Sequence, residues 1–333
     1  MSLLITGSIA TDHLMTFPGR FTDSLVVDQL DKLSVSFLVD DLEVRRGGCA
    51  ANICFGLGAL GLSPVLVGSV GEDFGDYRSW LERHRVDCES VHYSETRHTA
   101  RFVCTTDADH AQFASFYAGA MSEAREIELA PIVTRVGDAE LVLVAPNDPE
   151  AMRRHTAECR HRGYRFASDP SQQLAFGDGE LIRDLVDGAD LLFSNEYEAS
   201  LITTKTGWTR EDVLERVGTW VVTLGASGVR IEQAGAEPVH VAAVPATATP
   251  DPTGVGDAFR AGFLAAEGWG LSRERAAQLG CLLAVHVVEC IGTQEYDVQP
   301  DAFLARGTAA YGEGFGAEVG PRLADPQGLS ARG

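Results

Sequence analysis

Asp251-Pro-Thr-Gly-Val-Gly-Asp257-Ala-Phe-Arg-Ala-Gly-Phe263 is an acid-flanked glycine turn that runs straight into an amphipathic helical pattern. Gly254 and Gly256 remove the side chains that would hold a phosphate away from the backbone. The N–H groups of Gly254, Val255 and Gly256 then point out of a helix N-terminus, where an anion is favoured. Asp257 sets one carboxylate beside that anion. Amides that hold a phosphoryl group, next to a carboxylate able to accept a hydroxyl proton, are a minimal apparatus for phosphoryl transfer to a small alcohol.

The rest of the chain narrows the class. Its 333 residues are enough for one large α/β domain or two smaller ones, and a 45% apolar fraction is ample for a continuous core. The formal charge of −21 repels nucleic acid and anionic membrane, so neither is expected as a partner. A local pocket can still oppose the global sign. Lys32 and Lys205 are the only lysines, and no GxxxxGK[ST] occurs, so a P-loop is excluded. The cysteines at 49, 54, 88, 104, 159, 281 and 290 lack CxxC spacing and form no zinc pattern with histidine. The chain opens directly on the strand-like Leu3-Leu4-Ile5-Thr6, which reads as a protein of a reducing cytoplasm with free thiols.

Apolar runs alternate with helical patterns, the signature of a mostly parallel sheet covered by helices. Strands are expected at Leu3–Ile5, Val65–Val67, Leu141–Ala145, Arg165–Ala167, Leu191–Phe193, Val221–Leu224 and Val229–Ile231. Two segments break the rhythm. Ser34-Val-Ser-Phe-Leu-Val-Asp40 alternates like a strand, and 92–117 reads as a hairpin of Ala100–Thr106 and Gln112–Tyr117. Residues 13–46 and 92–117 are therefore expected to form a small β-sheet lid on a body made of 1–12, 47–91 and 118–315. Residues 316–333 show little periodicity and read as a frayed tail.

Several polar clusters fall where ligands bind, beyond strand carboxyl ends. In Gly7-Ser-Ile-Ala-Thr-Asp12, Asp12 can accept two vicinal hydroxyls or simply close a turn. Gly47-Gly48-Cys-Ala-Ala-Asn52 leads into a helix, with Asn52 offering both donor and acceptor. Asn195 is either an N-cap or a ligand residue, and Glu198 could hold the water shell of Mg²⁺. Thr223-Leu-Gly225-Ala-Ser-Gly228 is either a plain hairpin or a source of contacts to nucleotide phosphates.

Taken together and in this order, these motifs resemble those of the PfkB-type carbohydrate kinases of the ribokinase-like superfamily. Gly47–Asn52 resembles the first family signature and Asp251–Phe263 the second, and the likeness runs from about residue 3 to 312. Val255 departs from the small residue common there; an anion hole built of backbone amides should suffer little from it, although the side chain could crowd the phosphate. Within the family the chain resembles adenosine kinases of the actinobacterial type. Thr6–Leu14, Ser36–Asp41, Glu95–Phe102, Asn147–Met152, Asp169–Leu174 and Gly292–Glu295 carry that likeness.

The resemblance implies a three-layer α/β/α sandwich with a lid, and transfer of the γ-phosphoryl of ATP to the 5′-hydroxyl of adenosine. It implies Asp257 as base, with Asp12, Gly47, Gly48 and Asn52 around the ribose. Ser8 and Ser36 would lie near the purine, and Phe102 and Phe116 would sandwich it. A turn of three or five residues sets these rings directly opposite each other on one face. Asn195, Thr223, Gly225, Gly228 and Thr253 would face ATP, with Mg²⁺ through water at Glu198. The resemblance also suggests a K⁺ site at Asp251, Thr253 and the Cys290–Gln294 loop. Exposed edges of the lid strands suggest a homodimer through the lid. A sugar kinase of the ribokinase or fructokinase type, an inosine-guanosine kinase and a non-catalytic nucleoside-binding protein are the competing readings.

Overall fold

A computed structural model describes residues 2–24 and 35–325. Its centre is an eight-stranded sheet in the order Val239–Val241, Val229–Glu232, Thr219–Thr223, Leu191–Asn195, Phe166–Ser168, Leu141–Val144, Leu3–Thr6, Val65–Val67. The last six run parallel, and the first two are added antiparallel at one edge. Side-chain alternation along these strands feeds two cores. Leu3, Ile5, Leu141 and Leu143 face one layer, while Leu4, Val142 and Val144 face the other. Such short, doubly buried strands need helices on both faces, and they have them. One face carries Cys49–Ala59, Val255–Gly268, Arg273–Val288 and Pro300–Tyr311; the other carries Pro149–Arg162, Gly179–Val186 and Glu196–Thr206. The result is the three-layer sandwich.

The lid is a four-stranded sheet in the order Asp41–Gly47, Ala10–Thr16, Ala100–Thr106, Gln112–Tyr117. Its second strand starts at Ala10, so the lid already includes Asp12. The loop 107–111 has five residues and pairs Phe102 directly with Phe116.

Two expectations fail. The strand placed at 34–40 is not there: Ser34 lies outside the described residues, and 35–40 form no ladder. The paired strand is Asp41–Gly47 instead. The period-2 pattern of 35–40 is real as burial, since alternate residues turn inward. Phe37, for instance, packs at 5.0 Å on Phe17 and 4.8 Å on Phe21. Alternation alone supplies no strand partner, and Ser36 consequently points to solvent. The expected tail is also partly wrong. Glu313–Ala324 is a helix whose Phe315 and Val319 are buried in the core; 326–333 lie outside the described residues.

Candidate active site

The carboxyl ends of the parallel strands and the lid enclose a cavity of about 780 Å³. Its walls come from the ends of five of the six parallel strands or the segments just after them: Ser8 after Leu3–Thr6, Asn147 after Leu141–Val144, Asp169 after Phe166–Ser168, Asn195 at the end of Leu191–Asn195, and Thr223 at the end of Thr219–Thr223. The helix Val255–Gly268 closes one end with its N-terminus. Gly254 caps it at φ 78°, and a Cβ there would stand 2.9 Å from Thr293 Cγ2, so only glycine suits the position. Gly254, Gly256 and Asp257 line the cavity. Val255 does not; its side chain packs on the core beneath, away from the cavity.

Asp257 sits in the first helical turn, and its Oδ2 accepts a hydrogen bond from Asn52 Nδ2 at 2.8 Å. Burial pushes its carboxyl up to about 6, against the lowering effect of the Asn52 bond and of Arg260. Asn52 is itself fixed. Its Oδ1 accepts from Gln294 Nε2 at 2.9 Å; that amide also approaches the Tyr77 hydroxyl at 2.6 Å, which donates to Gly47 O at 2.9 Å. Trp80 Nε1 holds Gln294 Oε1 at 3.0 Å. This chain of bonds orients Asp257 from behind. Gln294 and Tyr77 had no such role in the sequence reading. Asn52, expected at the ribose, is bonded to Asp257 and Gln294.

Gly48 caps the helix Cys49–Ala59 at φ 93°, where a Cβ would meet Ser8 O at 2.6 Å and Ala10 N at 2.7 Å. Ser8 Oγ accepts from Cys49 N at 3.0 Å, so the hydroxyl placed near a purine also satisfies a helix N-terminus. Asp12 lines the cavity beside Gly47, where a Cβ would stand 3.2 Å from Asp12 Oδ2. Its carboxyl too is raised to about 6, mainly by burial, with Arg45 opposing and Asp251 assisting. In the lid register Arg45, Asp12, Phe102 and Phe116 form one row across all four strands, on one face. Phe116 lines the cavity; Phe102, half-buried, does not. Neighbouring rings on paired strands stand side by side, ~5 Å apart at Cβ, so a base held between them needs the two to splay. Ser36 is exposed and does not line the cavity.

At the opposite end Asn195 caps the helix Glu196–Thr206 in a capping box. Its side chain accepts from Glu198 N at 2.8 Å, and Glu198 Oε2 accepts from Asn195 N at 2.8 Å. Both still line the cavity, and Glu198 Oε1 is held only by Ser171 Oγ at 3.3 Å. Thr223, Gly225 and Thr253 line it as well. Gly228 does not; it is required because a Cβ there would run into the Val241 carbonyl of the neighbouring strand.

Asp251 departs from its expected role. Its Oδ1 accepts from Thr253 N at 2.9 Å, its Oδ2 accepts from Gly292 N at 3.1 Å, and Arg45 Nη1 lies 3.4 Å from Oδ2. Two N–H donors and a guanidinium occupy the carboxylate. That set does not suit K⁺, which needs free oxygens. Among the described residues no cluster of three or more His, Cys, Asp or Glu could hold a metal.

The sequence reading gave no role to Asn147, Asp169 or Arg260, all of which line the cavity. Arg260 forks onto Asp169, with Nε to Oδ2 and Nη2 to Oδ1 both at 2.8 Å, the two side chains 7% and 2% exposed. Asn147 is 2% exposed, and its Nδ2 has no hydrogen-bond partner among the described residues. A buried donor left unpaired costs about 1–3 kcal/mol, so it is a contact waiting for a ligand or water.

A sheet-end cavity closed by helix-terminal amides and one carboxylate is the architecture of ribokinase-like phosphotransferases with a hydroxyl acceptor. Comparison with known proteins bears this out. Residues 8–300 match the pfkB family of carbohydrate kinases, and the chain belongs to that family. It is 29% identical over 273 residues to a nucleoside kinase of Methanocaldococcus jannaschii, covering 80% of this chain and 87% of the relative. It is 29% identical over 313 residues to a nucleoside kinase of Methanothermobacter thermautotrophicus, covering 93% and 96%. The structure of a Burkholderia thailandensis nucleoside kinase in complex with inosine superposes with TM-score 0.79 at 32% identity, covering 93% of this chain and 98% of the other. No helix among the described residues is long and apolar enough to cross a membrane.

Proposed function

We propose that this protein is a nucleoside kinase that transfers the γ-phosphoryl group of ATP to the 5′-hydroxyl of adenosine, giving AMP and ADP. The observation that carries the reading is the lid row Asp12–Phe102–Phe116, of which Asp12 and Phe116 line the cavity. A carboxylate for ribose hydroxyls stands next to aromatic surface for a flat base. A free sugar has no use for that surface. The relatives named as nucleoside kinases support the same class.

In the reaction the 5′-oxygen attacks the γ-phosphorus beside the Gly254–Asp257 amides, and Asp257 takes the proton. The transition state is loose, so a weak carboxylate base serves. Asn52 keeps the base aimed, and the amides stabilise charge on the transferred group. ATP brings Mg²⁺, which binds through few protein oxygens and keeps its waters. The lone loosely held Oε1 of Glu198 and the Nδ2 of Asn195 fit that water shell, and no protein cage is needed. When bound, the ion offsets phosphate charge. Lid closure excludes water that would otherwise accept the phosphoryl group. Adenosine and ATP as reactants support a role in purine salvage in the cytoplasm.

A turnover panel of adenosine, inosine, guanosine, cytidine, ribose and fructose with Mg-ATP tests the assignment. Adenosine is expected to turn over fastest. A free sugar ahead of every nucleoside would replace the reading with a sugar kinase, and binding without any turnover would leave a nucleoside-binding protein.

Phe116→Ala is expected to raise the KM for adenosine about tenfold, from the loss of one base–ring stack, with the KM for ATP unchanged. Phe102→Ala acts on the same substrate through the neighbouring ring. Equal effects on both substrates would mean that the rings only pack the lid. The outward lid face exposes Leu42, Val44, Phe113 and Tyr117, each about half accessible, which suits burial against a second lid in a homodimer. Sedimentation equilibrium is expected to give a dimer, and Val44→Glu a monomer; a monomeric wild type removes this part of the proposal.

A further inference from the structure

Among the described residues the cavity walls carry four carboxylates, on Asp12, Asp169, Glu198 and Asp257, and a single cationic side chain, on Arg260. A nucleoside triphosphate adds several more negative charges to that space, and a site of one sign repels its own substrate. The amides at the start of Val255–Gly268 offset part of this. Arg260 stands one turn along the same helix. Its side chain curls back toward the N-terminus, where Nη1 donates to Gly256 O at 3.2 Å. Three of its five N–H groups are therefore committed, two to Asp169 and one to Gly256, leaving one on each Nη. Nη1 lies 3.2 Å from where a Cβ would stand on Gly256, so the bare glycine leaves the guanidinium beside the amide cradle.

We infer that Arg260 is a phosphoryl-contacting residue, its two free N–H groups meeting the γ-phosphate next to the amides while Asp169 holds the fork. This rests on the phosphoryl-transfer reading above. In the transfer the acceptor oxygen bonds to the γ-phosphorus, the β–γ bridging P–O bond breaks with its electron pair leaving on ADP, and the acceptor proton goes to Asp257. Arg260 neither gains nor loses a proton. Asp169 cancels its charge in the resting site, where an unpaired buried guanidinium would be costly. The alternative is a strut that only ties the helix to the loop after Phe166–Ser168.

Calorimetry with ADP and with the non-hydrolysable triphosphate AMP-PNP separates the two and needs no turnover. For Arg260→Lys and Arg260→Gln the affinity for AMP-PNP is expected to fall several-fold more than that for ADP. Equal losses, or none, overturn the inference. Asp169→Asn keeps the guanidinium but removes its counter-charge; it is expected to bind AMP-PNP more tightly than wild type, and weaker binding is what a strut would give. The kcat of Arg260→Gln is expected to fall about 100-fold, the scale for losing one donor to a developing anion. Absence of turnover by the wild type on every acceptor would remove the activity assignment while leaving the ADP to AMP-PNP ratio readable.

Discussion

Asp257→Asn is expected to lower kcat by about 10³-fold while leaving the dissociation constant for adenosine within a few-fold of wild type, because a positioned base contributes roughly 10²–10⁴. The substitution is nearly isosteric, and the introduced amide can still accept the Asn52 Nδ2 bond through its own carbonyl oxygen. The lost activity therefore reports the missing proton acceptor and not a collapsed site. The pH dependence follows from the same burial. With its carboxyl raised to about 6, Asp257 is protonated and inactive as a base below that pH and ionised above it. Wild-type kcat/KM should rise through pH about 6 and then flatten. Asp12, raised to about the same value, adds a second group to the kcat/KM profile, so its acid limb should be steeper than that of kcat.

Stability carries the opposite sign. A carboxyl whose folded value lies above its unfolded value of 3.8 destabilises the fold once it is ionised, so the native state loses stability as pH rises through the 4–6 range. Asp257→Asn removes that penalty. The variant should melt higher than wild type at pH 7.5, with the difference shrinking toward pH 4.5. A variant that keeps wild-type kcat, or a melting difference that grows as the pH falls, would remove Asp257 as the buried base.

What could be read along the chain was whatever is encoded within a few residues. The Asp251–Phe263 stretch declares its helix, its glycine turn and the carboxylate set in the first helical turn because glycine, carboxylate and apolar periodicity occur side by side. The strands Val65–Val67 and Leu191–Asn195 declare themselves as short apolar runs between helical patterns. The network behind Asp257 is different in kind. Asn52 and Gln294 are 242 residues apart, and Arg260 and Asp169 are 91 apart. No spacing rule connects them: Asn52 stands out in its own motif, but its partnership with Gln294, like that of Arg260 with Asp169, exists only once the sheet brings the strand ends together. The helix Glu313–Ala324 was hidden for a local reason. It is rich in glycine, contains Pro321, and shows only the i,i+4 pair Phe315 and Val319 as a buried stripe. Segment 35–40 failed in the reverse sense, since its pattern was strand-like and its partner was absent.

Asp12→Ala is expected to cost about 10³-fold in kcat/KM for adenosine. Two vicinal ribose hydroxyls donating to one carboxylate make two charge-assisted bonds of about 2 kcal/mol each, and ~4 kcal/mol is close to a thousandfold. The geometry favours this use. Gly47 leaves the carboxylate uncovered on its cavity side, and Arg45, opposite Asp12 in the strand pair, is drawn away by Glu43, which it forks at 2.7 Å through both Nε and Nη2. Asp12 is thus left without a bidentate protein partner, free for a ligand diol.

The decisive comparison uses 2′-deoxyadenosine, which lacks one of the two donors. Wild type should favour adenosine over it by about 30-fold, the worth of one such bond. Asp12→Ala should turn over the two nucleosides at nearly equal kcat/KM, because the group that tells them apart is gone. If the variant still discriminates, the ribose is read by other residues, with Asn52 and the unpaired Asn147 Nδ2 the first to test. If wild type never discriminates, the carboxylate faces something other than the diol, and the nucleoside would have to lie in the cavity in the reverse sense, with its base away from Phe116.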